Sequence, residues 1–393
     1  MPPSATAPTT SAKTLTLAAN ASFIPIGMTT VLLSPLLPTL SSRWSLDYTQ
    51  AGALFTAQFL ASTVAVGLSG TLVERFGFRF AINAGLLVIA ASAAALLAGP
   101  RILGIVCIAG FGAGSGLAVP AANLMVGELN PSRRSSALNV LNFAWSAGAV
   151  ACPFLVAAAE KADHVPLLLR CVAGFSFLVM LCIATKQWGD DVTTEISEAK
   201  NVSVNWRQRS VPVLLALFFL YVGTENAFGG WIASYSVNQR SMAMDIAVMI
   251  PSFFYGSLTL GRLFAPTFLR RWNEVRVVQI GLLVGCAGMA GLMRSHEFVE
   301  IALSAGVAGF GLSSVYPITI SFLSRESGST APRVASLAFM MSNLGGASLP
   351  WLVGVFSTKL GTIRGGLAIP LLGSIAMYLL YLPNWRSAPS ERT

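Results

Sequence analysis

Charge is scarce in this sequence. Aspartate, glutamate, lysine and arginine make up 10% of its 393 residues, against roughly 25% in ordinary soluble domains. A water-exposed surface of that size needs far more, so a soluble enzyme is excluded and lipid is expected as the outer solvent. Histidine is rarer still: His164 and His296 fall between apolar runs, where neither suits a proton relay. The five cysteines, Cys107, Cys152, Cys171, Cys182 and Cys286, lie inside apolar runs. They lack the spacing of a zinc site or a disulfide framework and read as small buried apolar residues, so no metal is expected. A phosphate-cradling glycine loop and a nucleophile–base pairing are also missing, which excludes ATP-driven chemistry and hydrolysis and calls for no cofactor. No cleavable signal is expected, because residues 1–14 are polar and the first apolar run is too long for one.

Apolar residues and glycine are abundant instead, at 54% of the chain and 36 residues respectively. Glycine is commoner in membrane helices than in soluble ones and lets their backbones approach closely. The net charge of +9 would suit nucleic acid. The basic residues, however, occupy short loops between apolar runs, so they read as topology signals with the bilayer as partner.

A span needs about 20 mostly apolar residues. Candidates are 15–40, 48–72, 78–98, 102–127, 134–159 and 165–185, then 210–238, 246–270, 275–293, 298–323, 332–358 and 364–382. The expected fold is therefore an all-α membrane protein with twelve transmembrane helices in two six-helix bundles. Residues 1–14 form an N-terminal tail, 15–185 the first bundle, 186–209 a charged linker, 210–382 the second bundle and 383–393 a C-terminal tail. With both termini in the cytoplasm of a cell (inner) membrane, one side holds sixteen lysines and arginines, Arg75, Arg79, Arg133, Arg134, Arg270, Arg271 and Arg276 among them; the other holds seven. That bias fixes the orientation.

The halves repeat at an offset of about 197–199 residues. Phe111-Gly112 and Pro120 match Phe310-Gly311 and Pro317, and Gly148 with Pro153 matches Gly345 with Pro350. Parallel six-span repeats are one plan for secondary transporters, with the solute held near the midplane.

After the second span the chain reads Gly70-Thr-Leu-Val-Glu74-Arg75-Phe-Gly77-Phe-Arg79. This resembles the major facilitator signature G-x-x-x-D-R-x-G-R-[RK], with Glu74 for the aspartate and Phe78 where an arginine is usual. Gly70 and Gly77 suit close packing and a tight turn. Glu74, Arg75 and Arg79, joined by Glu128 and Arg134, are expected to form a cytoplasmic gate that opens and closes. The second-half counterpart, Gly261-Arg262 through Arg270-Arg271, is degenerate. Gly148-Ala-Val-Ala-Cys152-Pro153 partly matches a drug-antiporter signature, but its repeat in the eleventh span suggests a paired kink.

The seventh span carries Tyr221-Val-Gly-Thr-Glu225-Asn226-Ala-Phe-Gly229-Gly230-Trp231-Ile-Ala-Ser-Tyr235. A charge mid-span costs at least about 2.5–3.5 kcal/mol on insertion scales, so Glu225 is expected to face a cavity or to pair with a buried arginine. Gly229-Gly230 weakens the helix, and Trp231 and Tyr235 offer rings suited to stacking on a sugar or to anchoring at the interface. The run is similar to the seventh span of the fucose–galactose–proton symporter family. That resemblance implies a monosaccharide or related polyol as solute, with Glu225 coupling its movement to protons. The family's bacterial members would have an acid in the first span, and residues 15–40 contain none.

Amides can donate to and accept from sugar hydroxyls. Gln58, Asn123, Asn139, Asn142, Asn226 and Asn343, with Tyr316, therefore complete the candidate solute-binding set, each alternatively serving as interhelical glue. Arg170 lies within reach of the membrane surface or pairs with a buried acid or anionic solute. The expected protein is a monomeric symporter working by alternating access, with proton-coupled efflux of drugs or metabolites and facilitated uniport as alternatives.

Overall fold

The computed structural model describes residues 10–185, 210–327 and 331–382. The linker expected at 186–209, the tail at 383–393 and residues 1–9 of the N-terminal tail lie outside them. The described residues are helical: α1 (Thr10–Val31), α2 (Leu33–Trp44), α3 (Tyr48–Ala95), α4 (Arg101–Leu129), α5 (Arg134–Lys161), α6 (Val165–Thr185), α7 (Ser210–Arg240), α8 (Met244–Ala247), α9 (Ile250–Leu269), α10 (Glu274–Arg294), α11 (Phe298–Leu312), α12 (Val315–Ser327), α13 (Ala331–Leu360), α14 (Ile363–Gly366) and α15 (Ala368–Tyr381). Among the described residues, eleven helical stretches are long and apolar enough to cross a membrane. The second and third spans make one of them, α3, whose backbone breaks at Gly77 with φ 79° and ψ 168°. Only glycine adopts that conformation readily, and with α3 counted as two the spans are twelve.

Proline explains the other breaks. Its ring clashes with the carbonyl four residues earlier, yet it is tolerated in a helix's first turn, where the missing N–H has no partner to lose. Pro35, Pro251 and Pro370 stand four residues after the ends of α1, α8 and α14, at Val31, Ala247 and Gly366, and Pro317 four after Ser313, the C-cap of α11. Each split span is therefore one membrane crossing interrupted at a proline. Pro153 and Pro350, by contrast, lie inside helices assigned without interruption.

The chain forms two compact units. One holds the described residues up to Leu33 and those from Ala57 through α6; the other holds Ser34–Thr56 and everything from α7 onward. The tip of the first two spans thus packs with the second unit, although its sequence lies within the expected first bundle at 15–185. Ser34 Oγ donates to the Gly229 carbonyl at 2.5 Å and Thr56 Oγ1 to that of Ala347 at 2.7 Å. The Tyr48 and Trp231 rings meet edge to face, and Gly230 leaves room for the Phe55 ring. The weakening expected at Gly229-Gly230 does not occur: α7 is unbroken, because these glycines accommodate neighbours instead of bending the helix.

Large apolar side chains cover the outside, including Val106, Leu178 and Leu303, as expected where lipid solvates them. Lipid supplies no hydrophobic drive between helices, so small residues and close contact must hold them together. In the first unit α1 packs on α4, α5 and α6; in the second α7 packs on α9, α12, α13 and α15. A β-carbon at Gly148 of α5 would overlap the Ile24 carbonyl of α1, and one at Gly345 of α13 the Phe219 carbonyl of α7. The two glycines permit matching helix crossings. Gly112 against Gln58 and Gly114 against Gly85 likewise return as Gly309 against Phe254 and Gly311 against Gly281. The contacts make Gly112 equivalent to Gly309, so the Phe111-Gly112 pairing with Phe310-Gly311 is slipped by two residues.

Candidate functional site

Glu225 lies at the midpoint of the 31-residue α7. Tyr221, one turn earlier on the same face, is 2% exposed. From α9 comes Arg262, whose Nη2 donates to the Tyr221 hydroxyl at 3.4 Å. From α12 comes Tyr316, whose ring lies 5.4 Å from that of Tyr221 and 5.5 Å from that of Phe218. Glu225 interacts with the Tyr221 hydroxyl and electrostatically with Arg262. Three helices of the second unit therefore place a carboxyl, a guanidinium and two phenols together deep in the bundle.

Arg262 is the residue that sequence reasoning missed. The sequence presents it only as part of the degenerate counterpart of the first-half signature, inside the span expected at 246–270; it lies within α9, followed by seven further residues of that helix. Those residues, Leu-Phe-Ala-Pro-Thr-Phe-Leu, carry no charge, and that was the available signal: one charge flanked on both sides by apolar sequence. Among the described residues the ion pair within 4.0 Å is Arg325–Glu274, at partly exposed helix ends. Glu225 and Arg262 do not close one. Arg262 Nε is buried and has no hydrogen-bond acceptor among the described residues.

The internal repeat separates what the fold needs from what is particular to this cluster. The Gly148–Ile24 and Gly345–Phe219 contacts make Thr30 the counterpart of Glu225 and Ile26 that of Tyr221. Ala65 meets Gly116 as Gly261 meets Ser313, so Val66 is the counterpart of Arg262; in the same register Val119 answers Tyr316. The same architecture is built in the first unit with uncharged residues, so packing alone does not demand Glu225 or Arg262.

The other candidates separate by what their polar atoms do. Trp231 is 1% exposed and its Nε1 donates to the Pro350 carbonyl at 2.9 Å. Tyr235 is fully buried, with its hydroxyl 3.3 Å from the Met293 carbonyl. Both polar tips are occupied by backbone, so in this conformation neither ring offers a stacking face. Gln58, 4% exposed, donates to the Thr30 carbonyl at 3.2 Å and ties α3 to α1. Asn123, Asn142 and Asn226 donate to carbonyls of their own helices, Val119, Leu138 and Val222. Asn139 is exposed and Asn343 half-buried. Arg170 is exposed and its Nε donates to the Pro166 carbonyl at 3.1 Å.

Glu74, Arg75, Glu128 and Arg134 are exposed and Arg79 is half-buried. None of the five forms an ion pair within 4.0 Å among the described residues. Gly70 has open space around it rather than a close neighbour, whereas Gly77 makes the turn expected of it.

The sequence profile of the Major Facilitator Superfamily matches residues 19–350. The chain belongs to this superfamily. It is therefore a membrane transporter of small solutes and not an enzyme. Among curated relatives it is 22% identical to the sodium-dependent glucose transporter 1A of Mus musculus, covering 85% of this chain and 88% of the relative. It is 19% identical to the quinolone resistance protein NorA of Staphylococcus aureus, covering 84% and 86%. Among solved structures, the E. coli fucose:proton symporter superimposes with a TM-score of 0.64 at 18% identity, over 95% of this chain and 98% of that one. This last likeness establishes the shared fold.

Proposed function

We propose that this superfamily member is a secondary active transporter of a monosaccharide or related polyol, working by alternating access in symport with protons. It acts as a monomer in the cell inner membrane, with both termini cytoplasmic. One observation carries this: a carboxyl, a guanidinium and two phenols gathered mid-bundle in the second unit, where the first unit has apolar residues or threonine. A carboxyl held in lipid must serve a purpose to be kept, and carrying a proton in step with solute is a purpose that position allows. The phenols and the amides of Asn226 and Asn343 supply neutral donors and acceptors for hydroxyls. The resemblance of the seventh span to fucose-type symporters and the glucose-transporting relative support a sugar. Glu74, Arg75, Arg79, Glu128 and Arg134 form the cytoplasmic gate, unlatched in this conformation.

The test is uptake into liposomes holding the purified protein. An inward proton gradient should drive accumulation of a monosaccharide, and an uncoupler should collapse it. The similarity to a quinolone resistance protein favours a second reading, efflux of lipophilic compounds. Proton-driven movement of lipophilic cations without sugar flux would select it. Sodium-driven accumulation would keep the sugar and replace the proton.

A further inference from the structure

Arg262 is a cation whose charge is not matched at contact distance. Buried charges are ordinarily paired, because an unpaired one forfeits its hydration without compensation. Its hydrogen-bond partner among the described residues is a neutral phenol at 3.4 Å, and its buried Nε has no acceptor. The nearby acid, Glu225, is not within 4.0 Å of it. A guanidinium presents its donors in a planar fork that matches a carboxylate. We propose that Arg262 binds a carboxylate on the transported solute, so that the cargo is a sugar acid, a uronate or an aldonate. This rests on the sugar-symport reading of the same site.

Charge balance supports the assignment. The empty site, with Glu225 ionised and Arg262 protonated, is neutral overall. When Glu225 takes up a proton, one positive charge remains on Arg262, and one carboxylate restores neutrality. Proton and sugar acid each favour binding of the other, and the loaded site carries no net charge. A phosphate dianion would leave a negative charge behind, so sugar phosphates are disfavoured. The groups acting on Arg262 are Tyr221 and Glu225 of α7 and Tyr316 of α12; none is a second cation.

The experiment uses the full-length protein in liposomes. It compares glucose with glucuronate, galactose with galacturonate, and glucose 6-phosphate, as competitors for uptake and as stabilisers in thermal shift. The wild type should favour at least one acid over its neutral partner by about tenfold or more, the range expected for a hydrogen bond to a charged group. Arg262→Gln should abolish that preference, and Arg262→Lys should keep part of it. Uptake of the acid under a proton gradient should be unaffected by an imposed membrane potential. Equal competition by the neutral and acidic members of each pair in the wild type would overturn the proposal while leaving sugar symport standing. So would a preference for glucose 6-phosphate, or uptake that follows the potential. Failure to bind or move any of these compounds would overturn both.

Discussion

Glu225 and Arg262 belong to one partly buried cluster yet do not close an ion pair of 4.0 Å or less; the Tyr221 hydroxyl interacts with both. An acid and a base held apart this way can each take a separate partner, which a closed pair cannot. That relationship is the basis for assigning one to the proton and the other to solute.

Glu225→Gln keeps the side-chain shape and removes the ionisable proton. Uphill uptake driven by a proton gradient should be lost, while exchange of labelled for unlabelled solute across the liposome membrane should persist. Accumulation at the wild-type level would remove Glu225 from the coupling step.

The two matching helix crossings give a packing prediction. Gly148→Ala and Gly345→Ala put a β-carbon into the Ile24 and Phe219 carbonyls, so each should destabilise by about 1–3 kcal/mol, the usual cost of overpacking. A β-carbon at Gly174 of α6 would meet none of the described residues within 4 Å, and Gly174→Ala should be neutral or stabilise by about 0.5–1 kcal/mol. Thermal unfolding in detergent, read by tryptophan fluorescence, checks the three together.

Gly77→Ala should cost about 1–3 kcal/mol, because its φ of 79° with ψ of 168° lies in a region that residues with a β-carbon avoid. Gly70→Ala, in open space on the same helix, is the control. A melting temperature that falls equally for both would show that the break at Gly77 is not what matters.

Trp231→Phe keeps the ring and deletes the Nε1 bond to the Pro350 carbonyl. The carbonyl keeps its place in the α13 helix, so losing the indole bond should cost about 0.5–1.5 kcal/mol of stability. The KM for solute in uptake should change less than twofold. A large rise in KM with unchanged stability would restore Trp231 as a sugar-stacking residue.

Much of the fold was legible because lipid imposes a coarse rule: each span needs about 20 apolar residues with its own backbone bonds satisfied. The runs beginning near residues 15, 102, 134 and 165 therefore locate α1, α4, α5 and α6 without further information. Glu225 was legible for the same reason, as a charge in a place that penalises charge. Arg262 was obscured because it stands in the degenerate counterpart of the first-half signature, which drew the reading toward the loop and away from a charge inside the span. Trp231 and Tyr235 were misleading in the other direction. Aromatic rings with polar tips suit both a sugar and a carbonyl, and composition cannot say which is within reach.

The amino-acid sequence by itself determined the spans, the two-fold repeat, the turn at Gly77 and the presence of an acid in the seventh span. These follow from local rules of hydropathy, backbone conformation and the expense of charge in lipid. Only the tertiary structure decided that Arg262 and Tyr316 join Glu225, that Trp231 and Tyr235 are occupied by backbone carbonyls, and that Ser34–Thr56 packs with the second unit. Each depends on which faces of separate helices meet, and helix faces meet through close contacts between residues far apart in the chain.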